Sequence, residues 1–167
     1  DLKGGFLMVM YHPVGTEVSL LSQYTRELIN AVYELDMPAL WFWPNFDAGA
    51  EHISHELRTF NDSGAAHKIK FMRYVPPRQF LSFLRHTKCL VGNSSAGIKE
   101  CSYLGIPVVN IGTRQNNRLR SHNVADVKER KDLIKSAIKK QLEKGAYKPS
   151  ALYQANGTSK KIAAKIA

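Results

Sequence analysis

Cysteine is nearly absent from this 167-residue chain, which has two, Cys89 and Cys101. Neither falls in a CxxC pair or at metal-ligand spacing from a histidine, which argues against a zinc site and a disulfide framework. They read as two small apolar side chains in a reducing cytoplasm. No uninterrupted apolar run is long enough to cross a bilayer, so no membrane association is expected. The opening residues lack the basic-then-apolar pattern of a secretion signal and contain no initiator methionine, so the chain reads as cut from something longer. Internal repeats and low-complexity linkers are also missing. Acidic residues are few, 14 Asp+Glu against 24 Lys+Arg, which leaves a formal net charge of +10. Such an excess suits nucleic acid, anionic lipid or a phosphorylated substrate. Much of it, however, falls in residues 128–148, which read as a helix with a solvated basic face. No aromatic-interleaved basic motif of the RNA-binding kind accompanies it. A nucleic-acid partner would rest on net charge alone.

What is present is the patterning of one α/β domain. Hydrophobic residues make up 44% and charged residues 23%, ordinary for a folded chain of this length. Residues 6–11 (FLMVMY) form a continuous apolar run, the mark of a strand buried on both faces. Further strands are expected at 39–43, 69–72, 89–91 and 108–111. Between them, helical spacing covers 18–35, 47–60 with Asp47 as its cap, 77–86 with proline in its first turn, and 94–104 closed by Gly105. A looser segment, 112–127, leads into a basic helix over 128–144, and 158–167 reads as one more helix. Strands alternating with helices in this way require right-handed crossovers and give a Rossmann-like, doubly wound parallel sheet.

In such a sheet ligands lie beyond the carboxyl ends of the strands, so the residues just after each apolar run are the ones to inspect. They are His12-Pro13-Val14, then residues 44–49 (PNFDAG), then 92–100 (GNSSAGIKE), then Gly112-Thr113-Arg114-Gln115. In the third of these, Gly92 permits a sharp turn, and Asn93, Ser94 or Ser95 can cap the following helix. A helix start offers unpaired N–H groups and a positive dipole end to phosphate. Gly97 leaves room for a ligand against the first turn. Glu100, on roughly the same face, can accept hydrogen bonds from the cis hydroxyls of a ribose. An ordinary serine-capped helix with a solvent-facing glutamate would look the same. Arg114 suits a bidentate clamp on diphosphate oxygens, or is one more surface arginine beside Arg118 and Arg120. His12 is either a core-edge imidazole bonded to backbone or a catalytic acid, base or phosphate donor. The other histidines, at 52, 55, 67, 86 and 122, have no partner spacing and read as surface residues.

Taken in order, His12-Pro13, the PNFDAG loop, GNSS-x-G-x-x-E and the stretch 105–115 (GIPVVNIGTRQ) resemble the C-terminal half of hydrolysing UDP-N-acetylglucosamine 2-epimerases, over nearly the whole chain. The resemblance implies one half of a two-domain glycosyltransferase-B type fold, with a UDP-sugar held between the halves. It implies loss of UDP by anti-elimination to a 2-acetamidoglucal, then hydration with inversion at C2, on UDP-GlcNAc or a related UDP-diacetamido sugar. One branch of that chemistry enters sialic acid synthesis. Carried over by position, Ser94 and Ser95 would meet the diphosphate, Glu100 the ribose, and Arg114 and a His12 either neutral or protonated the leaving phosphate. The segment 73–80 (RYVPPRQF), including Val75, would line the uracil pocket through its backbone, and Asn45 would lie at the rim.

Two departures stand out. Asn117-Arg118 replaces a usual Gly-Arg, and residues 153–157 (YQANG) replace Tyr-Gly-Asp-Gly without the acid. The family keeps its catalytic acid and base residues in an N-terminal domain, so that domain is an expected partner and residues 1–167 alone should turn over nothing. Neither metal nor other cofactor is called for, and a homo-oligomer is expected of the whole enzyme. A UDP-sugar glycosyltransferase of the same fold, or a non-catalytic nucleotide-binding module, would share these loops.

Overall fold

The computed structural model describes residue 2 and residues 4–166. The six strands are β1 (Leu7–Met10), β2 (Ala39–Phe42), β3 (Ile69–Met72), β4 (Cys89–Gly92), β5 (Val108–Ile111) and β6 (Val124–Val127). They form one sheet in the order β3-β2-β1-β4-β5-β6, and every neighbouring pair is parallel. The helices are α1 (Leu21–Tyr33), α2 (Ala50–Asp62), α3 (Pro77–His86), α4 (Ser95–Ile98), α5 (Glu100–Leu104), α6 (Lys131–Lys144) and α7 (Thr158–Ile166). This is the doubly wound arrangement expected from the alternation of apolar runs and helical segments.

Period two divides the sheet into two cores. Leu7, Val9, Tyr11, Trp41, Val91, Val109 and Ile111 pack on one face with buried side chains of α1, α2 and α6. Met8, Leu40, Phe42, Leu90 and Val108 face the other way, onto Leu84 of α3 and onto Ala96 and Cys101 of α4 and α5. Buried on both faces, the strands β1, β2 and β4 have no polar alternation, which is why their apolar runs are continuous. Both cysteines are buried and unpaired, and burial raises both thiol pKa values. Among the described residues no helix is long and apolar enough to cross a membrane.

Several local expectations are corrected. Residues 112–127 were expected to be loose throughout, but their last four form β6. A four-residue edge strand reading VADV, only half-buried, carries little apolar signal. Asp47 does not cap α2; Gly49 holds that position at φ 91°, where an added Cβ would lie 2.6 Å from Leu21 Cδ1. The helix expected over 94–104 breaks at Lys99 (φ −96°, ψ −72°) into α4 and α5. There the Ser102 hydroxyl donates to the Ile98 carbonyl at 2.7 Å, a back-bond of the kind that bends helices. The basic helix begins at Lys131, and the first long helix is preceded by a 3-10 segment, Gly15–Leu20. Gly105 does close the helix, at φ 69°, with the Tyr147 carbonyl 2.1 Å from where a Cβ would sit. Residue 167 of the terminal helix lies outside the described residues.

Candidate functional site

Strand order reverses between β1 and β4, so the crevice outside their carboxyl ends is the place where a doubly wound sheet takes a ligand. Here β4 ends in Gly92 at φ 132°, and a Cβ at that position would lie 2.1 Å from the Met10 carbonyl oxygen. Only glycine lets the two strand ends approach so closely. The main chain continues one step further, with Asn93 N–H donating to Met10 O at 2.9 Å. The Asn93 side chain then takes over the pairing. Its Oδ1 accepts from His12 N–H at 2.7 Å, and its Nδ2 donates to His12 O at 2.8 Å.

His12 is 4% exposed, and its Nδ1 accepts the Asn45 backbone N–H at 3.2 Å. An imidazole that accepts at Nδ1 carries its proton on Nε2. Burial, with the Arg114 guanidinium adding to it and Asp47 opposing it, lowers the His12 pKa from 6.5 to about 4. These surroundings keep the His12 ring neutral near pH 7. What it can offer a phosphate is an N–H donor.

The loops after β2 and β5 close around the same point. Gln115, 1% exposed, donates from Nε2 to the Asn93 carbonyl at 2.8 Å. Arg114 reaches that carbonyl through Nη1 and Asp47 Oδ2 through Nη2, both at 3.4 Å. Its side chain remains about a quarter exposed, at 26%, and Asp47 is half exposed at 52%. An incoming anion would thus compete with a loosely held carboxylate for the guanidinium. Ser94 caps α4, its Oγ accepting the Ala96 N–H at 3.3 Å and its carbonyl the Gly97 N–H at 3.1 Å. The Ser94 and Ser95 amides have no protein acceptor among the described residues. Ser94 and Ser95 follow Asn93 directly, and hydrogen bonds of Asn93 reach the His12 main chain and the Arg114 guanidinium, so these four residues lie around the ends of β1 and β4.

Other expected site residues lie elsewhere. Gly97 is buried, and a Cβ there would meet Val108 Cγ1 at 2.9 Å and Leu90 Cδ2 at 3.2 Å. Its missing side chain serves the packing of α4 on the sheet, which corrects the idea that it clears space for a ligand. Glu100 lies past the Lys99 bend, exposed, in a groove of about 640 Å³ shared with Arg85, Tyr103 and Tyr153. Val75 follows β3 and packs half-buried on the second core. Arg118 is exposed, and its carbonyl accepts from Arg120 Nη1 at 2.6 Å. The replacement of glycine at 117 leaves the loop backbone able to turn, since Asn117 sits at φ 64°, a conformation asparagine tolerates.

Sequence reasoning undervalued Asn93, Asp47 and Gln115. From sequence, Asn93 is one of three candidate caps and Gln115 only part of a motif. The available signal was a carboxamide directly after a buried strand, where apolar neighbours leave it only backbone to bond.

The chain also matches known proteins. The family model described as UDP-N-acetylglucosamine 2-epimerase covers residues 1–167. The UDP-N-acetylglucosamine 2-epimerase of Neisseria meningitidis serogroup B is 32% identical over 151 residues, which is 89% of this chain and 38% of that protein. The hydrolysing UDP-N,N'-diacetylbacillosamine 2-epimerase of Legionella pneumophila is 30% identical over 154 residues, 92% of this chain and 40% of that protein. A crystal structure of the Neisseria meningitidis UDP-GlcNAc 2-epimerase bound to UDP-GlcNAc superposes with a TM-score of 0.72 at 12% identity, over 98% of this chain and 45% of that one. The chain thus spans about two fifths of the length of these relatives. With a matching model over its whole length and the motif residues gathered at the switch point of the sheet, the chain belongs to the UDP-N-acetylglucosamine 2-epimerase family.

Proposed function

We propose that this chain is the C-terminal, UDP-binding half of a hydrolysing 2-epimerase acting on UDP-GlcNAc or a related UDP-diacetamido sugar. The observation that carries the reading is the grouping of Ser94, Ser95, Arg114 and His12 around Asn93 at the ends of β1 and β4, with the Ser94 and Ser95 amides unclaimed by any protein acceptor among the described residues. Diphosphate is the ligand that uses such donors together, since each oxygen accepts and none donates. The ribose would fall to Glu100 beyond the Lys99 bend, the uracil to the backbone around Val75, and Arg118 would extend the basic rim. Asn45, whose backbone N–H bonds His12 Nδ1, would offer its side chain to the ligand at the rim.

In the reaction, the C1–O bond to the diphosphate breaks as a base removes the C2 proton, leaving a 2-acetamidoglucal and UDP. Water then adds across the double bond, with the opposite configuration at C2. Negative charge grows on the departing diphosphate. Donors already aimed at it need no reorganisation, and this is the contribution of the present residues. The base and acid belong to the remainder of the polypeptide, consistent with relatives more than twice as long. The remainder also supplies the opposite wall of the cleft, and the whole enzyme acts as a homo-oligomer in the cytoplasm. Family membership favours this reading over a glycosyltransferase of the same fold.

The test is to incubate the complete polypeptide with UDP-GlcNAc and with UDP-diacetamido sugars in deuterated water. Free UDP and a 2-epimeric sugar carrying deuterium at C2 are expected, and residues 1–167 alone should release no UDP. Sugar transfer to an added acceptor without free epimer would overturn the epimerase reading.

A further inference from the structure

Past Gly92 the β4 main chain turns away from β1, and the Asn93 carboxamide occupies the place a neighbouring peptide would fill. It is 1% exposed and pairs in both directions with the His12 main chain, at 2.7 and 2.8 Å. Its own carbonyl gathers Gln115 Nε2 at 2.8 Å and Arg114 Nη1 at 3.4 Å. One residue thereby ties the ends of β1 and β4 to the loop after β5.

We propose that Asn93 is a positioning residue for His12. By holding both the N–H and the C=O of residue 12, it keeps the imidazole where Nδ1 meets the Asn45 N–H, so that the Nε2–H edge faces the ligand. The choice of diphosphate as that ligand rests on the functional reading above; the grip on His12 does not. The charged groups facing the ring are Arg114, from the loop after β5, and Asp47, from the loop after β2. Arg114 is bonded to the Asn93 carbonyl, so loosening Asn93 disturbs both the ring and the guanidinium beside it. Without the grip the ring can turn toward solvent, lose the Asn45 bond and titrate more like an ordinary histidine.

The experiment compares the chain with Asn93→Ala and Asn93→Thr, both neutral, so that any change at His12 comes from geometry rather than added charge. Threonine can make one of the two bonds and should give an intermediate result. Ser102→Ala is the control, because Ser102 is equally buried and bonded to Ile98 O and Asn123 Oδ1 but is remote from the ring. The readouts are ring nitrogen NMR of His12 across pH and UDP affinity by calorimetry. The parent should show a single Nε2–H tautomer. Asn93→Ala should show mixed tautomers, an upward shift in ring titration of at least about one pH unit, and roughly tenfold weaker UDP binding. Ser102→Ala should lose thermal stability with the ring unchanged. If either Asn93 variant folds and keeps the parent tautomer and titration, or if Ser102→Ala shifts the ring equally, the proposal is wrong. Should alanine prevent folding, the threonine variant decides. Failure of the parent to bind UDP would instead remove the diphosphate reading, while the ring signals still judge Asn93.

Discussion

The rim at the ends of β1 and β4 and the terminal helix α7 are held in opposite ways. At the rim, Asn93 alone takes part in bonds to Met10, His12, Gln115 and Arg114, reaching residues up to 83 positions away along the chain. α7 buries no residue, and Ile162 and Ile166 are 54% and 81% exposed. Its bonds are local, Thr158 Oγ1 to Ala155 O and Lys161 N–H to Gly157 O. Buried polar groups that are satisfied only in one arrangement specify that arrangement, because each alternative leaves one unpaired. An apolar stripe with nothing against it specifies no position.

Several substitutions would break or sharpen this contrast. The largest effect is expected from Gly92→Ala, which places a methyl 2.1 Å from the Met10 carbonyl on a left-handed backbone. It should cost at least about 3 kcal/mol in chemical denaturation, and a near-neutral result would mean that the strand ends can part without loss.

Second is the acid response of the rim. His12 has a folded pKa of about 4 against 6.5 when unperturbed, so between those values the unfolded chain binds more protons. Its share of the stability is complete above pH 6.5, falls as the pH drops toward 4, and changes little below that. The full swing is roughly 3 kcal/mol at about 1.4 kcal/mol per unit. His12→Gln should remove that slope, seen as the difference between the two proteins' stability-against-pH curves. Parallel curves would show that the imidazole is not buried in its neutral form.

Third, Arg114→Ala should weaken UDP binding by about tenfold or more while moving stability by less than about 1 kcal/mol, since the arginine is only loosely paired. Smallest is removal of residues 158–167. With no buried side chain in α7, the loss should stay within about 0.5 kcal/mol. A large loss would mean that α7 packs on the domain after all.

The parts of the molecule that could be read in advance are those with a strong period or a strong stop. The continuous apolar runs of β1, β2 and β4, and the run of β5 broken only by Asn110, mark strands buried on both faces, and the proline at the start of α3 marks its first turn. β6 lacked both kinds of signal, being short, edge-placed and interrupted by Asp126, which bonds Asn110 and Arg120 instead of entering a core. At the candidate site, residue types after each strand point to His12, Ser94, Ser95 and Arg114, which the structure places around the ends of β1 and β4. Their spacing could not reveal that Gly97 faces the sheet. That follows from the α4 phase set by the Ser94 cap and the Lys99 break. Nor could it show the tautomer of His12, which depends on a backbone N–H 33 residues away.

The central claim is that two serine amides, an arginine and a neutral histidine receive a diphosphate at the ends of β1 and β4. A titration of the isotope-labelled chain with UDP, followed at its backbone amides and histidine ring nitrogens, tests it most directly. The largest shifts should fall on Ser94, Ser95 and the His12 Nε2–H, with smaller ones around Val75 and Glu100. Saturable binding that leaves those three signals in place while moving residues elsewhere, or no binding at all, would contradict it.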